Sequence, residues 1–336
     1  MLVRTTALIL VVATFLHAQY QDAGSAEFVF LRNFQAARPA GMVGAGASLE
    51  GGLQTLGLNP AGIARTPSPW LEISARRQDQ AYQSGMLGVA YPFLNGNVAG
   101  QFDYLDEGDP ITELDEYNTT NGKTMSPSSW ALSTSYAEPL GKRLSWGATF
   151  RWVREDLDVD GSVANGISMD LGIILQPGAR RFTYGLSIVN LGTKLTGHTK
   201  NESDFGDMPL SVTGSVRALL TGDGATSLLL DVQKPIDNYT QVRLGLEQRI
   251  SQNLTIRGGV RSDQREILDF ANGELMGETV SDHPSSMALR ASLGATIAVS
   301  NWSFDYAFQT WGPLGYVHFL TFSLNLGRLP KEKISP

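Results

Sequence analysis

The chain alternates apolar and polar side chains in one segment after another, and this alternation limits the folds open to it. In residues 143–154, Leu144, Trp146, Phe150 and Trp152 lie at alternating positions, with small or polar residues between them. Successive side chains of a β-strand point to opposite faces, so this segment would present one apolar and one polar face. Similar segments of roughly ten residues recur to the C-terminus, and that is the length of a strand that crosses a bilayer.

These segments predict one closed sheet. A bilayer tolerates no open sheet edge, so a membrane-embedded sheet must close into a barrel. We therefore predict an all-β protein whose residues 70–326 form a closed antiparallel transmembrane β-barrel of about 14 strands. The predicted strands cover residues 70–78, 82–92, 97–105, 128–137, 143–154, 165–176, 181–190, 209–220, 225–233, 240–250, 253–261, 287–298, 302–309 and 316–326.

The lengths of the connections support the same fold. Each even-numbered strand is followed by a tight link with hairpin signals, such as Asn95-Gly96 or Gly222-Asp223-Gly224. The longer connections follow odd-numbered strands, notably residues 106–127, 155–164, 191–208 and 262–286. Outer-membrane barrels show this asymmetry, with short periplasmic turns and long external loops. An even strand count would then place both termini in the periplasm.

The N-terminal part differs from the rest of the chain. Residues 1–18 combine Arg4, an apolar core and Leu16-His17-Ala18, which is typical of a secretory signal peptide. Residues 19–69 are rich in small residues and lack alternation, so we expect short helices and turns that form a hatch or plug inside the barrel. An arm packed outside the barrel is the alternative. Residues 327–336 would form a periplasmic tail.

The inward face of the predicted strands carries both charge signs. If residues 251–253 form the turn between the tenth and eleventh strands, Glu247 lies opposite Arg257, and Arg243 lies opposite Arg261. A charge in a dry lumen is costly unless it is paired or hydrated. We interpret the set as a polar network that packs the lumen and plug, with a selectivity or gating strip as the alternative. Its predicted members are Arg151, Asp170, Arg217, Asp231, Arg243, Glu247, Arg257, Arg261, Arg290 and Asp305.

Other kinds of site have weaker sequence support. The net charge of −7 and the lack of a Lys/Arg block argue against a nucleic-acid partner. The chain has no Cys and no Gly-x-Ser-x-Gly motif, so we expect no enzyme, although His198 and His283 leave an outer-membrane hydrolase as an alternative. We expect no metal or other cofactor. The acidic turn at residues 156–160 has only half of a calcium-loop pattern, because Ile167 stands where the closing Glu would be.

The most specific motifs lie in residues 19–69. Residues 58–64 read LNPAGIA, and residues 38–46 read RPAGMVGAG. They resemble the N-terminal hatch of FadL-like outer-membrane barrels, within the PorV/PorQ branch associated with type IX secretion. The resemblance implies a fourteen-stranded barrel and assigns the hatch turn to Asn59, Pro60, Ala61 and Gly62. An Asn-Pro turn followed by small residues would let the backbone approach the barrel wall.

The resemblance implies a non-enzymatic outer-membrane protein, surrounded by outer-membrane lipid, that assists the secretion or surface attachment of cargo proteins. The partners would be cargo and other secretion-system subunits, contacted through residues 106–127 and 262–286. The alternative is a FadL-like channel that passes a hydrophobic small molecule through the hatch and out of the wall. A structural barrel without a transport role is a third reading.

Overall fold

Alternating strands close into a single barrel in the computed structural model. Fourteen antiparallel strands follow one another around the barrel in chain order, and the first strand pairs with the last. The structure describes residues 25–33, 36–66, 69–78, 82–106, 108, 111–114, 120–158, 162–178, 181–198, 208–263, 290–311 and 315–327. The predicted fold class, a closed antiparallel barrel, is therefore confirmed.

We number the strands in chain order, and β4 and β5 form a separate hairpin between the barrel strands β3 and β6. The strands are β1 (Trp70–Gln78), β2 (Gln83–Phe93), β3 (Gly96–Asp106), β4 (Ile111–Leu114), β5 (Thr120–Met125), β6 (Ser128–Leu140), β7 (Leu144–Asp156), β8 (Val163–Leu175), β9 (Phe182–Thr196), β10 (Ser211–Leu219), β11 (Thr226–Pro235), β12 (Gln241–Arg249), β13 (Leu254–Asp263), β14 (Arg290–Val299), β15 (Trp302–Thr310) and β16 (Tyr316–Asn325). The helical elements are α1 (Ala37–Ala40) and the 3-10 turns Val29–Arg32, Leu53–Thr55 and Pro60–Ile63.

The two faces of the wall have opposite chemistry. In β7, Phe150 and Trp152 are exposed, whereas Ser145, Thr149 and Arg151 between and beside them are buried. The same alternation of exposed apolar and buried polar residues recurs along β8, β15 and β16. An apolar outer belt around a polar interior is the arrangement that a membrane-spanning barrel requires.

Each of the fourteen predicted barrel strands overlaps an observed strand. At most strand ends, the predicted and observed boundaries differ by a few residues. The hairpin formed by β4 and β5 lies inside the predicted connection 106–127 and was missed, because its short segments carry no apolar alternation. The three longest connections between barrel strands, 107–127, 197–210 and 264–289, all follow odd-numbered strands, so the barrel has a turn end and a loop end. The start of β1 lies at the turn end, where Trp70 pairs with Asn325.

Several sequence predictions fall outside the described residues. The signal peptide at residues 1–18, the tail beyond Gly327, His283 and most of the connection 262–286 lie there. Of the acidic turn, Asp156 and Asp158 are described, and the Asp158 carboxylate accepts a hydrogen bond from the Ser126 amide at 2.9 Å. No helix in the described ranges is long and apolar enough to cross a membrane.

Candidate functional site

Residues 36–66, the inner segment, lie within the barrel. The segment is buried along almost its whole length. Its polar contacts reach inward-facing side chains on well-separated strands of the wall: the Ala37 backbone amide donates to Thr321 on β16, and the Gly46 backbone amide donates to Asp231 on β11. A segment outside the barrel could not reach both. The inner segment therefore occupies the lumen, and the arm packed outside the wall is not observed for these residues.

Three glycines on neighbouring strands form a first bare patch on the inner wall: Gly147 on β7, Gly172 on β8 and Gly185 on β9. A Cβ atom at Gly147 would lie 2.6 Å from the Pro60 carbonyl carbon, and one at Gly172 would lie 1.9 Å from the Asn59 Oδ1. At Gly185 it would lie 2.2 Å from the Ala47 oxygen. Such distances are far below van der Waals contact, so only glycine lets the inner segment approach this closely.

Asn59 fixes the inner segment on this first patch. Its Nδ2 donates to the Ala47 oxygen at 2.7 Å and to the Ile173 oxygen of β8 at 3.1 Å, while its Oδ1 accepts from the Ala61 amide at 3.0 Å. It also serves as the N-cap of the Pro60–Ile63 turn. The predicted hatch residues Asn59, Pro60, Ala61 and Gly62 are thus all buried against the wall.

A second bare patch lies on β12, β13 and β14 and receives the other half of the inner segment. It consists of Gly245, Gly259 and Gly294. A Cβ atom at Gly259 would lie 2.7 Å from the Met42 carbonyl carbon, and the Cβ built on Gly294 would lie 3.1 Å from the Gly41 Cα. Sequence reasoning did not identify either patch. Their pairing across neighbouring strands appears only once the register is known.

An ionic network joins the inner segment to the wall. Glu247 accepts from the Arg257 Nε at 2.7 Å and from the Arg38 Nε at 3.1 Å, and the Arg257 Nη1 donates to Asp305 at 3.2 Å. Gln54 of the inner segment also reaches Asp305, at 3.5 Å. Burial lowers the pKa of the Arg38 guanidinium, but Glu247 outweighs this effect and the pKa lies above its usual value. The network alternates cations and anions, so each buried charge has an opposite partner.

A second charged cluster lies near the middle of the wall. Arg151 pairs with Asp170 at 2.8 Å and donates to Asn190 at 2.7 Å. Val189 and Asn190 of β9 together lie opposite the single residue Asp170 of β8, so β9 has a bulge there. Within this bulge Asn190 has a φ of 60°. The bulge turns the backbone N–H of Asn190 toward Asp170, and this N–H donates to the Asp170 Oδ1 at 2.7 Å. This cluster is therefore satisfied within the wall itself.

The structure separates the ten predicted lumen residues into groups. The observed register pairs Glu247 with Arg257 and Arg243 with Arg261, as expected from the turn. Glu247, Arg257 and Asp305 share one network. Sequence reasoning named these three residues but not Arg38, which joins the network from the inner segment. Asp231 instead accepts from the amides of Gly46 and Ala47, and the remaining four are Arg217, Arg243, Arg261 and Arg290.

Glu50 forms a further contact at the turn end. It lies 3.4 Å from the Arg65 Nε and accepts a hydrogen bond from Gln176. Burial raises the pKa of the Glu50 carboxyl above its usual range in spite of Arg65. The ion pair with Arg65 lies within the inner segment, and the hydrogen bond from Gln176 attaches this part of the segment to the wall.

Among the described residues, cavities remain beside the inner segment, and two of them adjoin each other. A cavity of about 70 Å³ has apolar lining from Phe30, Leu31, Leu53, Leu58 and Met86 and polar lining from Asp103 and Arg151. A second cavity, of about 360 Å³, lies toward the loop end. The residues that line both cavities are Arg32, Asn33, Ser211, Gln233 and Arg243. The two cavities are thus neighbours with shared walls.

Solved structures with a similar architecture include hydrocarbon channels. The structure is similar to the Pseudomonas putida toluene transporter TodX, with a TM-score of 0.60 and 10% sequence identity, over 88% of this chain and 100% of TodX. It is also similar to the CymD monoaromatic hydrocarbon channel, with a TM-score of 0.58 and 13% identity, over 90% of this chain and 99% of CymD. The chain therefore has the same barrel fold as these two channels.

The sequence comparisons add no closer relationship. No protein-family model matches the chain. No curated protein matches it either. The PorV/PorQ relationship, and with it the secretion role expected from the hatch motifs, gains no support, whereas the alternative expectation of a FadL-like channel agrees with the structural neighbours.

Proposed function

We propose that the protein is an outer-membrane channel for hydrophobic small molecules, in which the inner segment acts as the hatch. The observation that carries the proposal is a barrel of the same fold as the hydrocarbon channels TodX and CymD, with an N-terminal segment seated in its lumen. The apolar outer belt supports the membrane location. The short turns would face the periplasm and the long connections the cell exterior, which would put both chain ends on the periplasmic side.

The lining of the smaller cavity supports a hydrophobic passenger. Its apolar residues come from the inner segment, from the neighbouring 3-10 turn Val29–Arg32 and from the wall, so a passenger there would contact both hatch and barrel. At about 70 Å³ this cavity is well below the roughly 300 Å³ at which ligand pockets begin. Passage therefore requires the inner segment or residues 29–33 to move away from the wall.

A covalent lock tests this function and the role of the hatch together. Ser48 of the inner segment and Ser215 of β10 are within 2.8 Å of each other through their Oγ atoms, and the chain has no Cys of its own. In a Ser48→Cys/Ser215→Cys double variant, oxidation would form one defined disulfide between hatch and wall. The measurement is uptake of labelled toluene by cells that carry the protein in the outer membrane, compared with cells that lack it.

We expect uptake above the background of cells without the protein, a reduction to that background on oxidation of the double variant, and recovery on reduction. Either single variant is the matched control and should not respond to oxidant. Uptake at background for the unmodified protein would refute the channel. Uptake that is unchanged by the disulfide would refute movement of the inner segment as the gating step.

A further inference from the structure

The loop-end cavity is lined by an unusual concentration of arginine. Arg32, Arg243, Arg261 and Arg290 all line it, and Asp263 is the carboxylate among its described lining residues. Three of the arginines come from neighbouring strands, in register: Arg243 lies opposite Arg261, and Arg261 lies opposite Arg290. Directly paired residues share one face of a sheet, and like charges in such positions repel each other. A hydrocarbon channel has no evident need for this arginine ladder.

No carboxylate among the described residues accepts a hydrogen bond from Arg243. Its cross-strand neighbour Asp231 is occupied by the amides of Gly46 and Ala47 and by the Ser215 hydroxyl. The hydrogen bonds of the Arg243 guanidinium go to uncharged oxygens instead, those of Gly44, Gln233 and Gln241. Its buried Nε has no partner among the described residues. One cation of the ladder thus retains a donor for an external anion.

Trp311 adds an aromatic surface to the same cavity. The guanidinium carbon of Arg290 lies 5.3 Å from the centre of its ring, and that of Arg76 lies 4.9 Å away. Arg76 is buried, and its hydrogen bond within the described structure goes to the neutral side chain of Gln78. The buried indole N–H of Trp311 also has no acceptor there. A flat ring and spare donors therefore lie beside the ladder.

The geometry points to a binding site for an aromatic carboxylate at the loop end of the lumen. The carboxylate would accept from the arginine ladder, because guanidinium groups bind carboxylates through charge-assisted hydrogen bonds, and the ring of the ligand would pack near Trp311. This inference rests on the proposed channel function, since it assigns an anionic class of passenger to the same lumen. The printed substrates of the structural neighbours are uncharged hydrocarbons.

Calorimetric titration of the whole detergent-solubilised protein tests the site. The probes are 2-naphthoate and 2-naphthamide, which have the same ring and differ in charge. We expect 2-naphthoate to bind at least about tenfold more tightly, since hydrogen bonds to a charged group are stronger than those to a neutral amide. Arg243→Gln and, independently, Arg290→Gln should each weaken 2-naphthoate binding about tenfold and leave 2-naphthamide binding unchanged. Excess inorganic phosphate should compete only weakly, because it has no ring.

Arg249→Gln is the matched control, because Arg249 is exposed at the turn end of β12. Each variant must keep the heat-dependent gel mobility of a folded barrel. The test needs only one of the two ladder variants to fold.

Equal affinities for both probes, or equal losses of affinity in Arg249→Gln and the ladder variants, would overturn the site. Phosphate that displaces 2-naphthoate at equal concentration would also overturn it, since a plain anion site would then explain the binding. If the binding site is refuted but the cells still take up toluene, the proposed channel function stands. If 2-naphthoate binding depends on the arginines but the cells take up no toluene, only the proposed channel function is refuted.

Discussion

Adding a single methyl group to Gly172 should dislodge the inner segment. In Gly172→Ala, the new Cβ would lie 1.9 Å from the Asn59 Oδ1 and 2.9 Å from the Pro60 Cδ. Backbone atoms of β8 cannot retreat, because the strand is hydrogen-bonded to β7 and β9 on both sides. Asn59 must therefore move, and with it the hydrogen bonds to the Ala47 and Ile173 oxygens.

The magnitude follows from these contacts. Overpacking of a filled interior costs about 1–3 kcal/mol, and two lost hydrogen bonds cost about 1 kcal/mol each. We therefore expect a loss of about 3–5 kcal/mol in the free energy of unfolding. Gly214→Ala on β10 is the matched control, because a Cβ there has no neighbour within 4 Å. Its effect should stay within about 0.5 kcal/mol, as at other open positions.

Two assays report the change. Urea titration of the detergent-solubilised variants, followed by tryptophan fluorescence, gives the difference in stability. Trypsin cleavage after Arg65, a partly buried residue of the inner segment that donates to the Leu144 oxygen of the wall, reports displacement of the inner segment. A Gly172→Ala protein that unfolds at the same urea concentration as the unmodified protein and resists trypsin at Arg65 would refute the seating of the segment on the glycine patch. Equal losses in Gly214→Ala would refute the steric argument.

Two further predictions concern the polar contacts of the inner segment. Glu247→Gln removes the anion between Arg38 and Arg257 and should cost about 3–5 kcal/mol in urea titration; combining it with Arg38→Gln should cost less than the sum, and strict additivity would contradict a shared network. Asn59→Ala deletes the donor to the Ala47 and Ile173 oxygens, so we expect a loss of about 1–3 kcal/mol and faster trypsin cleavage at Arg65. Unchanged cleavage would mean that other contacts alone hold the turn in place.

The wall of the barrel could be predicted from the sequence because its signals are local. Alternation is visible within each strand, and the sorting of short and long connections gives the strand count and the two ends. The pairing of Glu247 with Arg257 was also predictable, since a single tight turn separates their strands. The hairpin of β4 and β5 escaped this approach because its two short segments carry no apolar alternation in the sequence.

The seating of the inner segment depended on tertiary structure. Arg38 and Glu247 are 209 residues apart, and Gly147, Gly172 and Gly185 form one bare patch only because three strands align in register. Nothing near these residues in the chain indicates their partners. The function expected first from the hatch motifs was likewise too specific, because short turns with small residues report close backbone approach rather than the passenger.

The sequence by itself determined a closed, membrane-spanning sheet with an apolar exterior, because strand period, strand length and turn chemistry are properties of neighbouring residues. Only the tertiary structure decided what occupies the lumen and where its charges converge. Barrel closure brings together side chains from strands that are far apart in the chain, and the register of those strands sets which charges meet. The arginine ladder of β12, β13 and β14 exists for that physical reason.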